Sequence, residues 1–234
     1  MEKLKRYAVF ILGLFISSLG VSLITKADLG TLPISSIPYV LSLNFPFTLG
    51  QFTIVFSLFL ILLQLLILRR NFKAEHLLQI PISVAFGYFI DLTMVMLSFV
   101  NPESYVIKFI YLIISCIILA VGVYMEVLAD VAMLPGESFV RAIKMTWNTD
   151  FGITKICFDV SMTVIAALLS FIFAHKLEGV REGTLIAALL VGYIAKFIGR
   201  KLHFMPKLLF KDSAEEVEEE IEEELGIKAE AKEA

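Results

Sequence analysis

Charged side chains occur inside segments that are otherwise apolar. Asp91 and Asp159 lie well inside two such segments, and Lys155 precedes Asp159 by four residues. A charge deep in a bilayer is costly, so residues of this kind usually line a cavity or pair with one another. We interpret the two aspartates as cavity-lining, with an inert buried pair as the alternative. Lys155 and Lys196 lie near segment ends, where a long basic side chain can also reach water.

A second set of polar residues surrounds two prolines. The stretches are ADLGTLPISSIP (27–38) and ADVAMLPGESFVRAI (129–143), and each places an aspartate five residues before a proline. Proline suits the first position of a helix, so each stretch predicts a short helix. The first turn of such a helix has free backbone N–H groups, which can hold an anion or a carboxylate. The alternative is a well-capped helix lying at the membrane interface.

These two sets define the candidate binding site. Arg141 lies one turn after Glu137 and would contact an anionic substrate or pair with that glutamate. The candidate substrate-binding residues are Asp28, Ser35, Ser36, Asp91, Asp130, Glu137, Ser138, Arg141, Lys155, Asp159 and Lys196.

The elements that position these residues are predicted to be transmembrane helices. The chain is 58% hydrophobic and 18% charged, and apolar segments of about 18 residues or more can cross a bilayer. The predicted spans are 7–25, 50–68, 77–99, 105–127, 152–174 and 183–200. Dense basic clusters occur before the first span, at 69–73 and after the last span. Basic loops stay in the cytoplasm, so both termini are predicted to be cytoplasmic.

Two apolar segments, 32–44 and 135–147, are too short to cross. At 1.5 Å per residue, a helix of this length reaches only about 20 Å. If both crossed, there would be eight spans and the basic cluster at 69–73 would face outward. We therefore favour six spans, with each short segment forming a re-entrant or interfacial helix.

The two halves of the sequence repeat. A displacement of 102 residues aligns Gly20 with Gly122, and Pro33 with Pro135. With three further residues inserted, Gly87-Tyr88 aligns with Gly192-Tyr193. Each unit has three spans, which is an odd number, so the second unit enters the membrane from the opposite side to the first. We predict a 3+3 inverted repeat, with residues 1–104 and 105–211 as its units, a plan common among secondary transporters.

Residues 212–234 form an acidic tail with a net charge of −9, whereas the rest of the chain carries +6. Val217, Ile221 and Leu225 recur at steps of four, which is compatible with a short surface helix. The like charges favour a solvated cytoplasmic tail instead.

No motif indicates catalysis. The sequence has no nucleotide-binding glycine loop, no Ser/His/Asp set and no Cys/His cluster. Cys116 and Cys157 lie in apolar segments, where a thiol is usually a packing residue. We expect no enzyme activity, cofactor or metal, and no nucleic-acid partner.

The stretch GVSLITKADLGTLPISSIP (20–38) resembles the YczE/YyaS/YitT family of bacterial membrane proteins. The resemblance covers most of residues 5–205 and rests on the ADLGT-P-SS-P pattern, with ADVAMLPGES as a weaker repetition. It implies a multi-pass protein of the bacterial cytoplasmic membrane and supplies no catalytic residue or known substrate.

The leading functional hypothesis is a transporter or exporter of a small, anionic molecule that works by alternating access. A proton is a suitable coupling ion, because desolvation raises the pKa of a carboxyl group. The alternatives are a membrane regulator or scaffold acting through protein partners, and a passive channel. The sequence leaves a homodimer open.

Overall fold

The chain is all-helical in the parts that the structure describes. This structure is a computed structural model, and it describes residues 2–69, 72, 74–202, 204–210, 217 and 221. The α-helices in this part of the chain are α1 (Glu2–Lys26), α2 (Pro33–Asn44), α3 (Leu49–Leu68), α4 (Gln79–Met96), α5 (Tyr105–Ala129), α6 (Pro135–Trp147), α7 (Phe151–Ala174), α8 (Glu182–Lys201) and α9 (Met205–Leu209). A 3-10 helix, Ala74–Leu78, leads into α4.

Six helices are long and apolar enough to cross a membrane. They are α1, α3, α5, α7, α8, and α4 together with the end of the 3-10 helix before it. This confirms the predicted number of spans and makes the chain a multi-pass membrane protein. Large apolar side chains such as Val55, Val95 and Leu189 are 62%, 71% and 77% exposed. Lipid tails are as apolar as these side chains, so a lipid-facing surface of this kind needs no protein partner.

The two short helices begin in the same way. Asp28 and Asp130 both have left-handed backbones, with φ of 55° and 46°, a conformation that aspartate tolerates because its side chain can bond locally. Pro33 and Pro135 then occupy the start of α2 and α6, each preceded by an extended leucine. Proline excludes its preceding residue from the helical region, so each chain segment turns sharply before its short helix begins.

The centre of the bundle is a close antiparallel pair, α1 and α5. A Cβ on Gly20 would lie 2.9 Å from Leu119 Cα, and a Cβ on Gly122 would lie 2.9 Å from Ser17 Cα. Small residues let membrane helices approach until their backbones touch. The start of α1 therefore meets the end of α5 at one end of the bundle, the Arg6 end. The start of α5 lies at the other, the Lys108 end.

The remaining helices surround this pair. α4 packs on α1 and α8 packs on α5, while α2 lies against α7 and α6 against α3. α3 also packs along α4, whereas α7 has no comparable contact with α8. Buried side chains of four helices, Val21, Leu49, Ile90 and Leu119, form one of the core clusters.

The acidic tail lies outside the described residues except at two positions. Val217 and Ile221 are helical and buried against Tyr124 and Phe210. The expectation of a solvated tail is therefore wrong at these two positions. Their spacing of four residues puts both apolar side chains on one helix face, and that face packs against apolar side chains at the Arg6 end.

The α1–α5 contact predicts a large effect from a single methyl group. We expect Gly20→Ala to reduce the free energy of unfolding by about 1–3 kcal/mol, because Leu119 backbone atoms block the new Cβ. Gly192→Ala is the matched control, since a Cβ there meets nothing within 4 Å. Thermal unfolding of the purified protein in detergent measures both. Equal midpoints for the two variants would contradict the close contact.

Candidate functional site

Three carboxylates line a small cavity at the Arg6 end. Glu126, Asp130 and Glu137 surround a space of about 70 Å³. Apolar side chains form the rest of its wall, namely Val127, Val131, Ala132, Met133 and Leu134. The structure thus brings together two predicted site residues, Asp130 and Glu137, with Glu126, which was not among the predicted site residues.

Arg6 neutralises one of these carboxylates. Its Nη1 lies 2.6 Å from Asp130 Oδ2 and also donates to the Asp130 and Ala129 carbonyl oxygens. Its guanidinium lies 5.2 Å from the centre of the Phe210 ring. One arginine from the first half of the chain therefore holds the left-handed turn that precedes α6 in the second half.

Glu126 is buried in the contact between α1 and α5. The Ser17 hydroxyl donates to its Oε1, and its side chain is packed against Gly13. The sequence offered a weak signal, a carboxylate in the last turn of an apolar helix. The environment of Glu126 depends on Gly13 and Ser17, which lie on α1. The apolar periodicity of α5 gives no indication of this contact.

Glu137 lies near the one charged pair on α7. Lys155 Nζ is 2.9 Å from Asp159 Oδ1, so the two side chains pair across one turn of α7. Burial raises the pKa of Glu137, Lys155 lowers it, and Asp159 raises it. Arg141 Nη1 lies 3.4 Å from Met133 Sδ, at the cavity wall. These residues form a charged group on α6 and α7 beside the carboxylate-lined cavity.

Ser138 belongs to a buried polar network that joins three helices. Gln79 Nε2 donates to Ser138 Oγ at 2.8 Å, and Ser138 Oγ donates to Gln64 Oε1 at 3.0 Å. Gln64 Nε2 also donates to the Pro135 carbonyl at 3.0 Å. The network ties the first turn of α6 to α3 and α4, because each buried polar group needs a partner.

The first turns of the two short helices meet. A Cβ built on Gly136 would collide with the Ile34 side chain, so α6 and α2 touch there. Ser35 and Ser36 are buried in α2, and the Ser36 hydroxyl donates to the Leu32 carbonyl at 2.8 Å. The predicted proximity of the two proline-initiated helices is present at this contact.

A larger cavity lies at the Lys108 end. It has a volume of about 470 Å³ and is lined by Leu29, Glu103, Tyr105, Lys108, Leu177, Arg181 and Glu182. Asp28 pairs with Lys108 and Arg181, and Arg181 Nη1 also donates to the Asp28 carbonyl at 2.8 Å. Lys108 was not among the predicted site residues, although it lines this cavity. The signal was available, because Lys108 corresponds to Arg6 at the displacement of 102.

Several predicted site residues line neither cavity, and Asp91, Asp159 and Lys196 are among them. Asp91 accepts hydrogen bonds from Thr48 Oγ1 at 2.6 Å and from the Gly50 amide at 2.8 Å. Its carboxylate therefore stabilises the start of α3, where backbone N–H groups lack helical partners. Lys196 is partly buried near the end of α8.

The described residues contain no group of three or more histidine, cysteine, aspartate or glutamate side chains placed to hold a metal ion. The Arg6-end cavity is instead a site of ion pairs and hydrogen bonds.

The chain matches a known protein family over most of its length. Residues 4–200 match a family of unknown function, DUF6198. The chain belongs to this family. The matched region of this DUF6198 protein contains both cavities, both short helices and all six spans, and ends before the acidic tail. Searches of curated proteins and of solved structures gave no match. The resemblance to the YczE/YyaS/YitT family stays a prediction, because none of these comparisons tests it.

The polar network of this DUF6198 protein predicts unequal effects of two serine substitutions. We expect Ser138→Ala to destabilise the protein by about 1–3 kcal/mol, because it removes two hydrogen bonds of a buried network, one from Gln79 Nε2 and one to Gln64 Oε1. Ser36→Ala, at the corresponding position of α2, removes only a bond within its own segment. Thermal unfolding of both variants checks this. A larger loss for Ser36→Ala would contradict the role of the network.

Proposed function

We propose that this protein is a secondary transporter of a small solute, with an anion as the favoured class, working by alternating access between two inverted repeats. The observation that carries the proposal is the reciprocal pair of salt bridges. Arg6 of the first half binds Asp130 of the second, and Lys108 of the second half binds Asp28 of the first. The two bridges correspond at a displacement of 102 residues and lie at opposite ends of the bundle.

Helix packing supports the inverted arrangement. The Gly20–Leu119 contact corresponds to the Gly122–Ser17 contact at the same displacement. The packing of α4 on α1 likewise corresponds to that of α8 on α5. Since α1 and α5 are antiparallel, corresponding helices of the two halves run in opposite directions. This is the relation expected for an inverted repeat with a two-fold axis in the membrane plane.

The position of α2 supports a re-entrant short helix. Ile34, in its first turn, packs against the cluster of Leu60, Val140 and Phe158, which lies part-way along α3 and α7. The other end of α2 leads directly into the start of α3 at the Lys108 end. A helix of 12 residues is about 18 Å long at 1.5 Å per residue. We therefore place the start of α2 in the interior, where it meets the start of α6.

The unequal cavities support two alternating states. About 70 Å³ is available at the Arg6 end and about 470 Å³ at the Lys108 end. Corresponding salt bridges thus adjoin a small cavity at one end and a large one at the other. If the basic clusters place the Arg6 end in the cytoplasm, this conformation is open to the outside.

The charges around the cavities favour an anionic solute and a proton-coupled mechanism. Lys108 and Arg181 line the larger cavity, and both can exchange Asp28 for a bound anion. Glu137, whose pKa is raised by burial, lies close to Asp159 and Lys155. A carboxyl group of this kind can take up and release a proton during a transport cycle. Asp91 is less suited to this role, because it caps α3.

The buried residues of the tail argue against the alternative of a scaffold that binds partners through the tail. Val217 and Ile221 are buried against the membrane-spanning part of the chain. Two of the three apolar residues in the predicted stripe therefore contact α5 and Phe210 and cannot at the same time bind a separate protein.

The reciprocal salt bridges predict opposite effects of two substitutions. Single cysteines at Ala132 and Leu177 report on the two cavities, in a protein with Cys116→Ser and Cys157→Ser. We expect Arg6→Gln to speed labelling at residue 132 by a membrane-impermeant maleimide and to slow it at residue 177. Lys108→Gln should do the reverse, by about two- to fivefold, the range of a partly exposed ion pair.

The distant cavity provides the decisive measurement, because a substitution always affects its own neighbourhood. Arg6→Lys keeps the charge and serves as the matched control. If Arg6→Gln changes labelling only at residue 132, the two ends are not coupled and alternating access is wrong.

Transport itself is tested in proteoliposomes with a panel of small carboxylates, with and without a pH gradient. We expect Glu137→Gln to remove most gradient-driven uptake, because the amide cannot take up or release a proton. Asp91→Asn should retain uptake, since its amide oxygen can still accept a bond from α3. Normal gradient-driven uptake by Glu137→Gln would overturn the role assigned to this carboxyl group.

A further inference from the structure

The contact between α3 and α4 is built from two glycines and a capping aspartate. A Cβ on Gly87 would lie 2.6 Å from the Gly50 carbonyl oxygen, so the two backbones touch. The Ile54 side chain lies over Gly87. Next to this contact, Asp91 of α4 accepts hydrogen bonds from Thr48 and from the Gly50 amide.

The second half has the same glycines, but the helices there are apart. Gly152 and Gly192 correspond to Gly50 and Gly87, and a Cβ on Gly192 would meet nothing within 4 Å. Ile156, which corresponds to Ile54, is 63% exposed. The two surfaces that are joined in the first half are thus both uncovered in the second. α7 accordingly has no contact with α8 comparable to that of α3 with α4.

The residues at the edge of this surface are complementary in charge. Asp150 corresponds to Thr48, and Lys196 corresponds to Asp91. Asp150 is exposed and its Oδ1 accepts a bond from the Ile153 amide at 3.0 Å. Gly192 and Lys196 are four residues apart on α8, as are Gly152 and Ile156 on α7, so each pair lies on one helix face. In an antiparallel α7–α8 pair, Lys196 would lie at the level of Asp150.

We propose that α7 and α8 close on each other in a second conformation of this protein. In that conformation Ile156 lies over Gly192, and Lys196 pairs with Asp150. This inference rests on the proposed function, because alternating access requires each half to adopt the packing that the other half shows. It specifies which helices move together and which side chains form the new contact.

A second copy of the chain is the competing occupant of this surface. Gly192 would then be covered by another subunit, and α7 and α8 would stay apart. The packing of α3 on α4 favours closure within one chain, because it shows these same residue types already joined in that way. The two arrangements give different disulfide products.

The test is disulfide formation between Ile156→Cys and Gly192→Cys in the full chain, with Cys116→Ser and Cys157→Ser. Both positions are open, so the substitutions leave the fold intact, which size-exclusion chromatography verifies. A minor state is commonly populated at about 0.1–10%, and an irreversible bond collects it over time. We expect an intramolecular disulfide to form under mild oxidation in liposomes. It is read as altered mobility on a denaturing gel.

The matched control replaces Gly192→Cys with Tyr193→Cys. Tyr193 is 72% exposed at the same depth, but it points to another side of α8. We expect the Ile156/Gly192 pair to react at least about tenfold faster than the control, because a thiol beyond contact reacts only through rare collisions. Equal rates would overturn the closure, and so would a product that links two chains.

A charge exchange tests the ion pair separately. Lys196→Glu should slow disulfide formation, because it puts two like charges together in the closed state. Adding Asp150→Lys should restore the rate. If Lys196→Glu has no effect, the pair is not part of the closed state. None of these measurements uses a solute, so an intramolecular disulfide in a protein that transports nothing would keep the closure and remove the proposed function.

Discussion

The close contact between α1 and α5 is the constraint on which the rest of the bundle depends. In lipid, no hydrophobic force presses apolar helices together, so the fit of their surfaces decides which helices pair. Gly20 and Gly122 allow the two backbones to touch. The antiparallel fit places Arg6 beside Asp130 and Lys108 beside Asp28. The positions of both turns that precede the short helices follow from this one contact.

The two short helices are held by different forces. Gln64, Gln79 and Ser138 anchor the start of α6 through hydrogen bonds. At the corresponding place near α2, Ala166 stands for Gln64 and packs with Ile37 and Val40. Hydrogen bonds in a buried network have strict geometry, whereas apolar contacts tolerate sliding. The two halves of the protein therefore have corresponding helices that are held by different interactions. Two conformations built from them would differ in free energy.

Much of this fold follows from the sequence, because apolar length and proline position are local signals. The six spans and both short helices were predicted from them. Partner choice is not local. Asp91 has the features of a cavity residue in sequence, yet its carboxylate accepts a bond from the Gly50 amide, 41 residues earlier, at the start of α3. Arg6 and Lys108 lie at span ends, where orientation in the membrane and access to water already explain a basic residue. Their positions alone therefore do not mark them as site residues. In the tail, the like charges favoured the prediction of a solvated segment over the helix that the apolar spacing of Val217 and Ile221 also allowed.

The contact between Ile34 and Gly136 limits which residues the two positions can carry together. These two residues correspond to each other at the displacement of 102, and in the proposed arrangement they meet on the symmetry axis. A position on such an axis faces its own duplicate, so two isoleucines there would compete for the same space. Isoleucine at both positions would therefore not fit. In the proposed arrangement, at least one of the two positions has to carry a small residue, as Gly136 does.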